Sequence, residues 1–245
     1  MNSLWTAFST LTILPTPASN PTPQELKRSV LFFPLVGALL GGMFMLLYRL
    51  SLPSDLKTVI ILLVWVAFSG AFHLDGLGDC LDGFFGGKDP QDRQRIMKAA
   101  DLGTYGMTGI TLTLIFKTVL LNHLLGQMNV SYWLLAIPIA ARWAVCLSCF
   151  ISKPPVGNTG LGSFVISSPL PVFLVGSLFA LAGCFFLQKY AIGFFIITAL
   201  ISVAVSALSQ KRIGGLTGDG LGATIELTEV ALLFFACLNT SRFGL

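Results

Sequence analysis

Residues 30–50, VLFFPLVGALLGGMFMLLYRL, form an apolar run with a single charged residue, Arg49, close to its end. A helix of about 20 apolar residues spans the roughly 30 Å of hydrocarbon in a bilayer. The last run of this kind is the least regular, because it contains Glu226 and Glu229. The pattern predicts an all-α, polytopic transmembrane helical bundle with about six to seven spans. The further runs lie near 57–73, 106–126, 132–151, 170–187, 192–208 and 222–240.

The composition of the whole chain indicates that lipid is its main solvent. Of the 245 residues, 54% are hydrophobic and 11% are charged, and the mean hydropathy is +0.82. Soluble domains carry about 25% charged residues. There is no internal repeat and no second soluble domain, so residues 1–245 are predicted to form one integral membrane domain. The net charge of +4 is interpreted as a topology signal, and no nucleic-acid partner is expected.

The distribution of basic residues predicts the orientation in the membrane. With seven spans, one side of the bilayer, here called side A, holds residues 1–29, 74–105, 152–169 and 209–221. Side A carries nine lysines and arginines, whereas the opposite side B carries four, the last of which is Arg242. The positive-inside rule places side A in the cytoplasm. The chain is therefore expected in the cell inner membrane, with its functional face towards the cytoplasm.

The acidic residues are concentrated in two segments. Nine of the eleven lie within 74–105 and 219–229. Four predicted spans separate these segments, and an even number of crossings returns the chain to the same side. We therefore expect two functional loops, 74–105 and 209–229, to come together at side A.

The first acidic motif is HLDGLGDCLDGFFGG, residues 73–87. On a helix, Asp75, Asp79 and Asp82 occur at i, i+4 and i+7 and share one face. Three like charges repel unless a cation neutralises them, and hard oxygen ligands favour Mg²⁺ or Mn²⁺. His73 is a candidate proton acceptor or substrate contact. The alternative interpretation is a solvated helix end followed by a glycine-rich loop.

The second acidic motif is GGLTGDGLGATIELTE, residues 214–229. Asp219 and Glu226 are seven residues apart and share a helical face. The glycines, Gly218 among them, leave backbone N–H groups free to bind phosphate at a helix start. Lys211 and Arg212 stand upstream as candidate phosphate partners. The alternative is a flexible loop with the glutamates at the membrane interface.

Two cations lie inside predicted spans, where an unpaired charge is costly. Arg142 is expected to pair with a carboxylate or to bind a substrate phosphate, and the alternative is that it snorkels to the interface. Lys117 is interpreted as part of a structural pair.

Carboxylates, glycines and basic residues at one membrane face indicate phosphoryl transfer, in which metal ions neutralise a diphosphate. Membrane CDP-alcohol phosphotransferases use similar chemistry, but this chain lacks their DGxxAR and GxxxDxxxD patterns. The residues therefore indicate a different enzyme.

At HLDGLGDCLDG the chain resembles the cobalamin synthase family of adenosylcobinamide-GDP ribazoletransferases. The resemblance extends along nearly the whole chain, and the acidic motifs are its most specific parts. It also includes FSTLTILPTP (8–17), RSVLFFPLVGALLG (28–41), RQRIMK (93–98), LGTYG (102–106) and TGDGLGATIELTE (217–229).

The resemblance implies a reaction and a site. The substrates would be adenosylcobinamide-GDP and α-ribazole or its 5′-phosphate, GMP would leave, and Mg²⁺ is the expected cofactor. Asp82, His73 and Asp219 are the catalytic candidates, and a homo-oligomer is left open. The candidate metal ligands are Asp75, Asp79, Asp82, Asp219 and Glu226.

One position departs from the family's pattern. The family has an aspartate directly after the basic residue of the IMK stretch, and this chain has Ala99 there. Asp101, two residues later, is the candidate replacement and is counted with the candidate substrate contacts. Those contacts are Arg142, Lys211, Arg212, Gly218 and Asp101.

Two other functions remain open at this point. An ion-coupled transporter would place acidic residues in the middle of the bilayer and would show inverted repeats. Another membrane phosphotransferase acting on a nucleotide-activated lipid would share the acidic face.

Overall fold

The computed structural model describes residues 2–17, 20–127, 130–157 and 160–240. Arg242, counted above on side B, lies outside these residues. The described residues are helical and contain no strand, so the all-α prediction is confirmed. Their α-helices are α1 (Asn2–Leu11), α2 (Pro23–Ser29), α3 (Phe33–Tyr48), α4 (Ser54–Phe68), α5 (Phe72–Gly86), α6 (Pro90–Met97), α7 (Thr104–Leu125), α8 (Val130–Ile151), α9 (Leu161–Val165), α10 (Leu170–Gly183), α11 (Ala191–Ile213) and α12 (Gly218–Thr240).

The expected polytopic bundle is confirmed, with a span count at the lower end of the prediction. Within the described part of the chain, five helical stretches are long and apolar enough to cross a membrane. The pair α4 and α5 meets the same criterion as one span bent by 78°, which makes six. The five stretches are Pro23–Tyr48, Thr104–Leu125, Val130–Ile151, Phe185–Ile213 and Gly218–Thr240.

The apolar run near 170–187 forms α10, which has 14 residues and is about 21 Å long. It nevertheless follows α8 from end to end. The Ser168 N–H donates to the Cys149 oxygen near the end of α8, at 3.0 Å. Phe186, just after α10, stacks on Tyr132 near the start of α8. The chain therefore changes ends of the bundle here, and the even number of crossings between the acidic segments is retained.

The centre of the bundle is α8, which packs against α3, α10, α11 and α12. Gly37 and Gly41, four residues apart on α3, face the α8 backbone. A Cβ at Gly37 would lie 2.7 Å from the Pro138 carbonyl carbon, and one at Gly41 would lie 2.8 Å from the Leu135 Cα. Small residues at this spacing let two membrane helices approach closely.

A sharp bend between α4 and α5 turns the first acidic motif into the bundle. Gly70 has φ 61° and Ala71 has φ 62°, a left-handed conformation in which the α4 helix cannot continue. Beyond the bend, α5 packs along α12 and α7. The motif HLDGLGDCLDG thus lies between two membrane helices.

Candidate active site between α5 and α12

The two acidic motifs meet through a direct backbone contact. A Cβ at Gly76 of α5 would lie 2.8 Å from the backbone oxygen of Asp219. One turn further along α12, a Cβ at Gly222 would lie 3.1 Å from the His73 Cα. The absence of side chains at these two glycines lets α5 and α12 touch. The segments 74–105 and 209–229 therefore pack against each other through α5 and α12.

Three of the predicted carboxylates, Asp75, Asp79 and Asp219, surround this contact, and we call them the acidic face. Asp75 is exposed, while Asp79 and Asp219 are half-buried. Asp79 is close enough to Asp75 and Asp219 to interact electrostatically with both. The Thr217 hydroxyl donates to Oδ2 of Asp219 at 3.3 Å. The arrangement concentrates negative charge at the start of α12, where the helix dipole favours it.

A cleft of about 260 Å³ opens beside Asp219. The first residue of α12, Gly218, contributes to its wall, so backbone N–H groups at the helix start border the cavity. The cation of this cleft is Lys98, which interacts electrostatically with Asp219. The other lining residues include Gln94, Gly160, Gly162, Ser163 and Thr217.

Asp82 is held differently from the other aspartates of α5. Its Oδ2 accepts the Gly103 N–H at 2.8 Å, and its Oδ1 accepts the Gly106 N–H at 2.9 Å. Only 8% of its surface is exposed. Asp82 borders a second cleft, of about 350 Å³, together with Ala99 and Asp101. Asp101 therefore lines the same cleft as Ala99.

The donor chemistry of this region fits Mg²⁺. Among the described residues, no three histidine, cysteine or acidic side chains form a closed ligand set for one metal ion. Mg²⁺, however, usually keeps several waters and is held by one or two carboxylates plus substrate phosphates. Asp79 with Asp75 or Asp219 provides that number of hard oxygen ligands beside a cleft that is open to a phosphate.

Glu226 forms a buried ion pair with Lys117, whereas its spacing from Asp219 had predicted a shared helical face and the family resemblance had made both residues candidate metal ligands. The Lys117 Nζ donates to Glu226 Oε2 at 2.7 Å and to Glu229 Oε2 at 2.5 Å. Glu226 is 3% exposed. Its carboxylate is therefore in an ion pair inside the bundle, and it does not border the cleft beside Asp219.

Arg142 belongs to the same buried group of charges. Its Nη1 donates to Glu229 Oε1, and its side chain is fully buried. The structure therefore gives Arg142 the pairing role, because full burial removes it from the interface and from the clefts described above. The structural pairing predicted for Lys117 is confirmed. We call Lys117, Arg142, Glu226 and Glu229 the ion-pair cluster; its two positive and two negative charges balance.

His73 lies on the inner side of α5, near this cluster. It is 7% exposed, and it interacts electrostatically with Arg142, Glu229 and Lys117. Its backbone is also the contact point for Gly222 of α12. His73 is thus buried between the ion-pair cluster and the acidic face.

The end of α11 places Lys211 and Arg212. Lys211 is exposed, and the Arg212 guanidinium lies 5.8 Å from the centre of the Phe85 ring. Neither residue lines the cleft beside Asp219.

Lys98 is the basic residue that lines the cleft beside Asp219. The sequence interpretation had expected Lys211 and Arg212 to be the phosphate partners. It was not singled out from the sequence, although it ends the RQRIMK stretch. Gln94, four residues earlier, donates to the Ile213 oxygen at 3.1 Å and lines the same cleft. The helical i, i+4 spacing of these two residues was the available signal.

Comparison with known proteins gives one consistent result. The family model described as cobalamin-5-phosphate synthase matches residues 3–237. A protein of Pseudomonas putida is 36% identical, with 98% of this chain and 100% of that protein aligned. A protein of Syntrophobacter fumaroxidans is 36% identical over 93% of this chain and 95% of its own length. A protein of Thermoanaerobacter pseudethanolicus is 33% identical over 95% and 96%. All three are named adenosylcobinamide-GDP ribazoletransferase. No solved structure matches the chain.

Proposed function

Because the chain belongs to the cobalamin-5-phosphate synthase family, we propose that it is an adenosylcobinamide-GDP ribazoletransferase. It transfers the adenosylcobinamide phosphate moiety of adenosylcobinamide-GDP to α-ribazole or α-ribazole 5′-phosphate. The products are adenosylcobalamin or its 5′-phosphate and GMP, in the last steps of nucleotide loop assembly of cobalamin. We assign the active site to the contact between α5 and α12. The observation that supports this assignment most directly is the contact of Gly76 with Asp219, which joins the two acidic motifs.

The reaction exchanges one phosphorus–oxygen bond for another. The ribose 3′-oxygen of the acceptor forms a bond to the phosphorus attached to cobinamide. The bond from that phosphorus to the bridging oxygen of the diphosphate breaks, and GMP leaves with the bridging oxygen and the electron pair. The hydroxyl proton of the acceptor is released. The protein's task is therefore to hold a diphosphate and to align a hydroxyl with it.

The cleft beside Asp219 suits the diphosphate. The Lys98 ammonium and the N–H groups at the start of α12 provide positive or hydrogen-bond-donating groups there. Gly162 and Gly218 pack backbone to backbone at its edge. In this proposal the cleft binds the GDP end of the donor substrate.

Asp79, together with either Asp75 or Asp219, provides the proposed Mg²⁺ ligands, and Glu226 is not among them because it pairs with Lys117. The bound ion would neutralise diphosphate charge that three carboxylates would otherwise repel. Asp101, on the neighbouring cleft with Ala99, is the proposed replacement for the family's aspartate.

The proposed location is the cell inner membrane, with the acidic face on the cytoplasmic side. The support is the excess of lysine and arginine on the loops that carry the acidic motifs. A cytoplasmic face also gives a polar nucleotide substrate access from water.

The ion-pair cluster bears on the transporter alternative. It places two acidic residues inside the bundle, as a transporter would, but Lys117 and Arg142 neutralise both of them. Such a balanced cluster offers no free carboxylate for ion coupling. The transferase is therefore favoured over the transporter. The nucleotide-lipid phosphotransferase alternative is tested by assaying nucleotide-activated lipids as substrates.

The test is a transferase assay on protein reconstituted in liposomes, with adenosylcobinamide-GDP, α-ribazole 5′-phosphate and Mg²⁺. We expect GMP release together with a corrin product. Asp79→Asn and Asp219→Asn should each lower kcat/KM at least about 10–100-fold. Asp55→Asn is the matched control, because Asp55 is an exposed aspartate in the first turn of α4, outside the acidic face.

A folded wild-type protein that releases no GMP would refute the proposal. In that case CDP- or GDP-activated lipids are the next substrates to assay.

A further inference from the structure

The first turn of α7 receives its cap from another helix. This 22-residue helix begins at Thr104, and its N-cap residue, Gly103, has no side chain to satisfy the free N–H groups. The Asp82 carboxylate of α5 supplies that function, with one oxygen on the Gly103 N–H and the other on the Gly106 N–H. A carboxylate at this position also interacts favourably with the helix dipole.

The glycines of LGTYG fit this arrangement. A Cβ at Gly103 would meet three atoms of the Asp82 carboxyl group, with Oδ1 at 2.5 Å. Gly103 has φ −83° and ψ 178°, which any residue can adopt, and Gly106 is not among the positive-φ glycines. The backbone conformation therefore does not require glycine at either position. Glycine is required at both positions because a Cβ would collide with the Asp82 carboxylate.

The capped turn carries the segment that borders the second cleft. Asp101 lies two residues before Gly103, and it lines that cleft together with Ala99 and Asp82. Anchoring Gly103 and Gly106 to α5 fixes where the chain leaves α6 and enters α7. It thereby sets the position of the Asp101 carboxylate relative to the acidic face.

We propose that Asp82 is a positioning residue. It caps α7, and through that cap it holds Asp101 in the lining of the second cleft. Asp82 is thus separated in role from Asp75 and Asp79, although the three share a helix face. The kinetic part of this proposal rests on the proposed transferase function. The capping part is independent of it.

The capping part is tested by hydrogen–deuterium exchange on the detergent-solubilised full chain. In Asp82→Asn, the amide nitrogen of asparagine faces a backbone donor, so at least one of the two bonds is lost. We expect residues 103–107 to exchange at least about fivefold faster, while residues 218–229 keep the wild-type rate. Gly103→Ala displaces the carboxylate from the other side and should give the same local change. Thr108→Ala, an exposed α7 residue one turn away, should not.

The positioning part is tested by kinetics in the same variants. Asp82→Asn should lower kcat while the Mg²⁺ concentration for half-maximal activity changes less than about twofold. Asp101→Asn should lower kcat in the wild-type background and add little in the Asp82→Asn background, because the two residues act as one unit.

Three results would overturn the proposal. The first is unchanged exchange at residues 103–107 in Asp82→Asn. The second is a large rise in the Mg²⁺ requirement of that variant, which would make Asp82 a metal ligand. The third is multiplication of the two kcat effects in the double variant. If the wild-type protein proves not to be a transferase, the exchange experiment alone still decides whether Asp82 caps α7.

Discussion

Replacing Lys117 with methionine would leave two carboxylates of the bundle core without their shared cation. Glu226 forms its ion pair with Lys117, whereas Glu229 pairs with both Lys117 and Arg142. The substitution therefore strands Glu226 in a low-dielectric interior. Removing one partner of a buried ion pair costs about 3–5 kcal/mol. For a chain of this length, 1 kcal/mol corresponds to about 2–4 °C in Tm, so we expect a fall of roughly 6–20 °C.

The cysteines provide the assay. All five are buried and none forms a disulfide bond, so a thiol-reactive fluorophore reports unfolding of the detergent-solubilised protein during heating. Lys88→Met is the matched control, because the Lys88 side chain is exposed. It should shift Tm by little, since surface substitutions stay within about 0.5 kcal/mol.

A double variant separates lost charge balance from lost packing. Lys117→Met with Glu226→Gln removes one charge of each sign and keeps the pair of Arg142 with Glu229. We expect it to be more stable than the sum of the single variants by about 2–3 kcal/mol. The electrostatic reasoning fails if Lys117→Met has the same Tm as Lys88→Met. It also fails if the stability loss of the double variant equals the sum of the losses in Lys117→Met and Glu226→Gln.

Three further predictions follow from the contacts of glycine and from the acidic face. Gly76→Ala should push Asp219 away, since the new Cβ would lie 2.8 Å from its backbone oxygen, and should lower kcat/KM at least about tenfold. Gly37→Ala should destabilise the packing of α3 on α8 by about 1–3 kcal/mol, read from Tm. For both, Gly42→Ala is the control, because a Cβ there meets nothing within 4 Å; an equal effect in the control would contradict the packing argument. A chelator should abolish transferase activity and added Mg²⁺ should restore it, and full activity in excess chelator would disprove the metal assignment.

The all-α fold and the common side of the two acidic motifs could be predicted from the sequence, because both depend only on the length and number of the apolar runs. Apolar runs define helices by their length, and an even number of crossings fixes the common side. The crossing near 170–187 still counts, although α10 has only 14 residues, because parity depends on where the chain emerges. The bend at Gly70 and Ala71 was not predictable, since the apolar run 57–73 continues through it.

The role of Glu226 could not be predicted from its spacing. Seven residues from Asp219 place it on the same face of α12, but also about 10 Å deeper along the axis. What lies at that depth depends on a neighbouring helix, and α7 places Lys117 there. Spacing within one helix gives the face of a residue, whereas the partner comes from the tertiary packing.

The same limit applies to Asp82 and Lys98. Asp82 shares a helical face with Asp75 and Asp79, but residues more than twenty positions away occupy its oxygens. Lys98 looked like one basic residue among several in 93–98, and only the fold brings it beside Asp219. Both residues became distinguishable once the neighbours of α5 and α12 were known.

The ion-pair cluster also constrains how this protein is made. Its cations belong to α7 and α8, and both of its acidic residues belong to α12. During synthesis α12 is the last of these helices to leave the ribosome, so Lys117 and Arg142 enter the bilayer before their counter-charges exist. Each unpaired cation costs about 2.5–3.5 kcal/mol at the centre of a helix during insertion. The nascent bundle therefore stays incompletely assembled until α12 arrives, and the insertion machinery must shelter α7 and α8 until then.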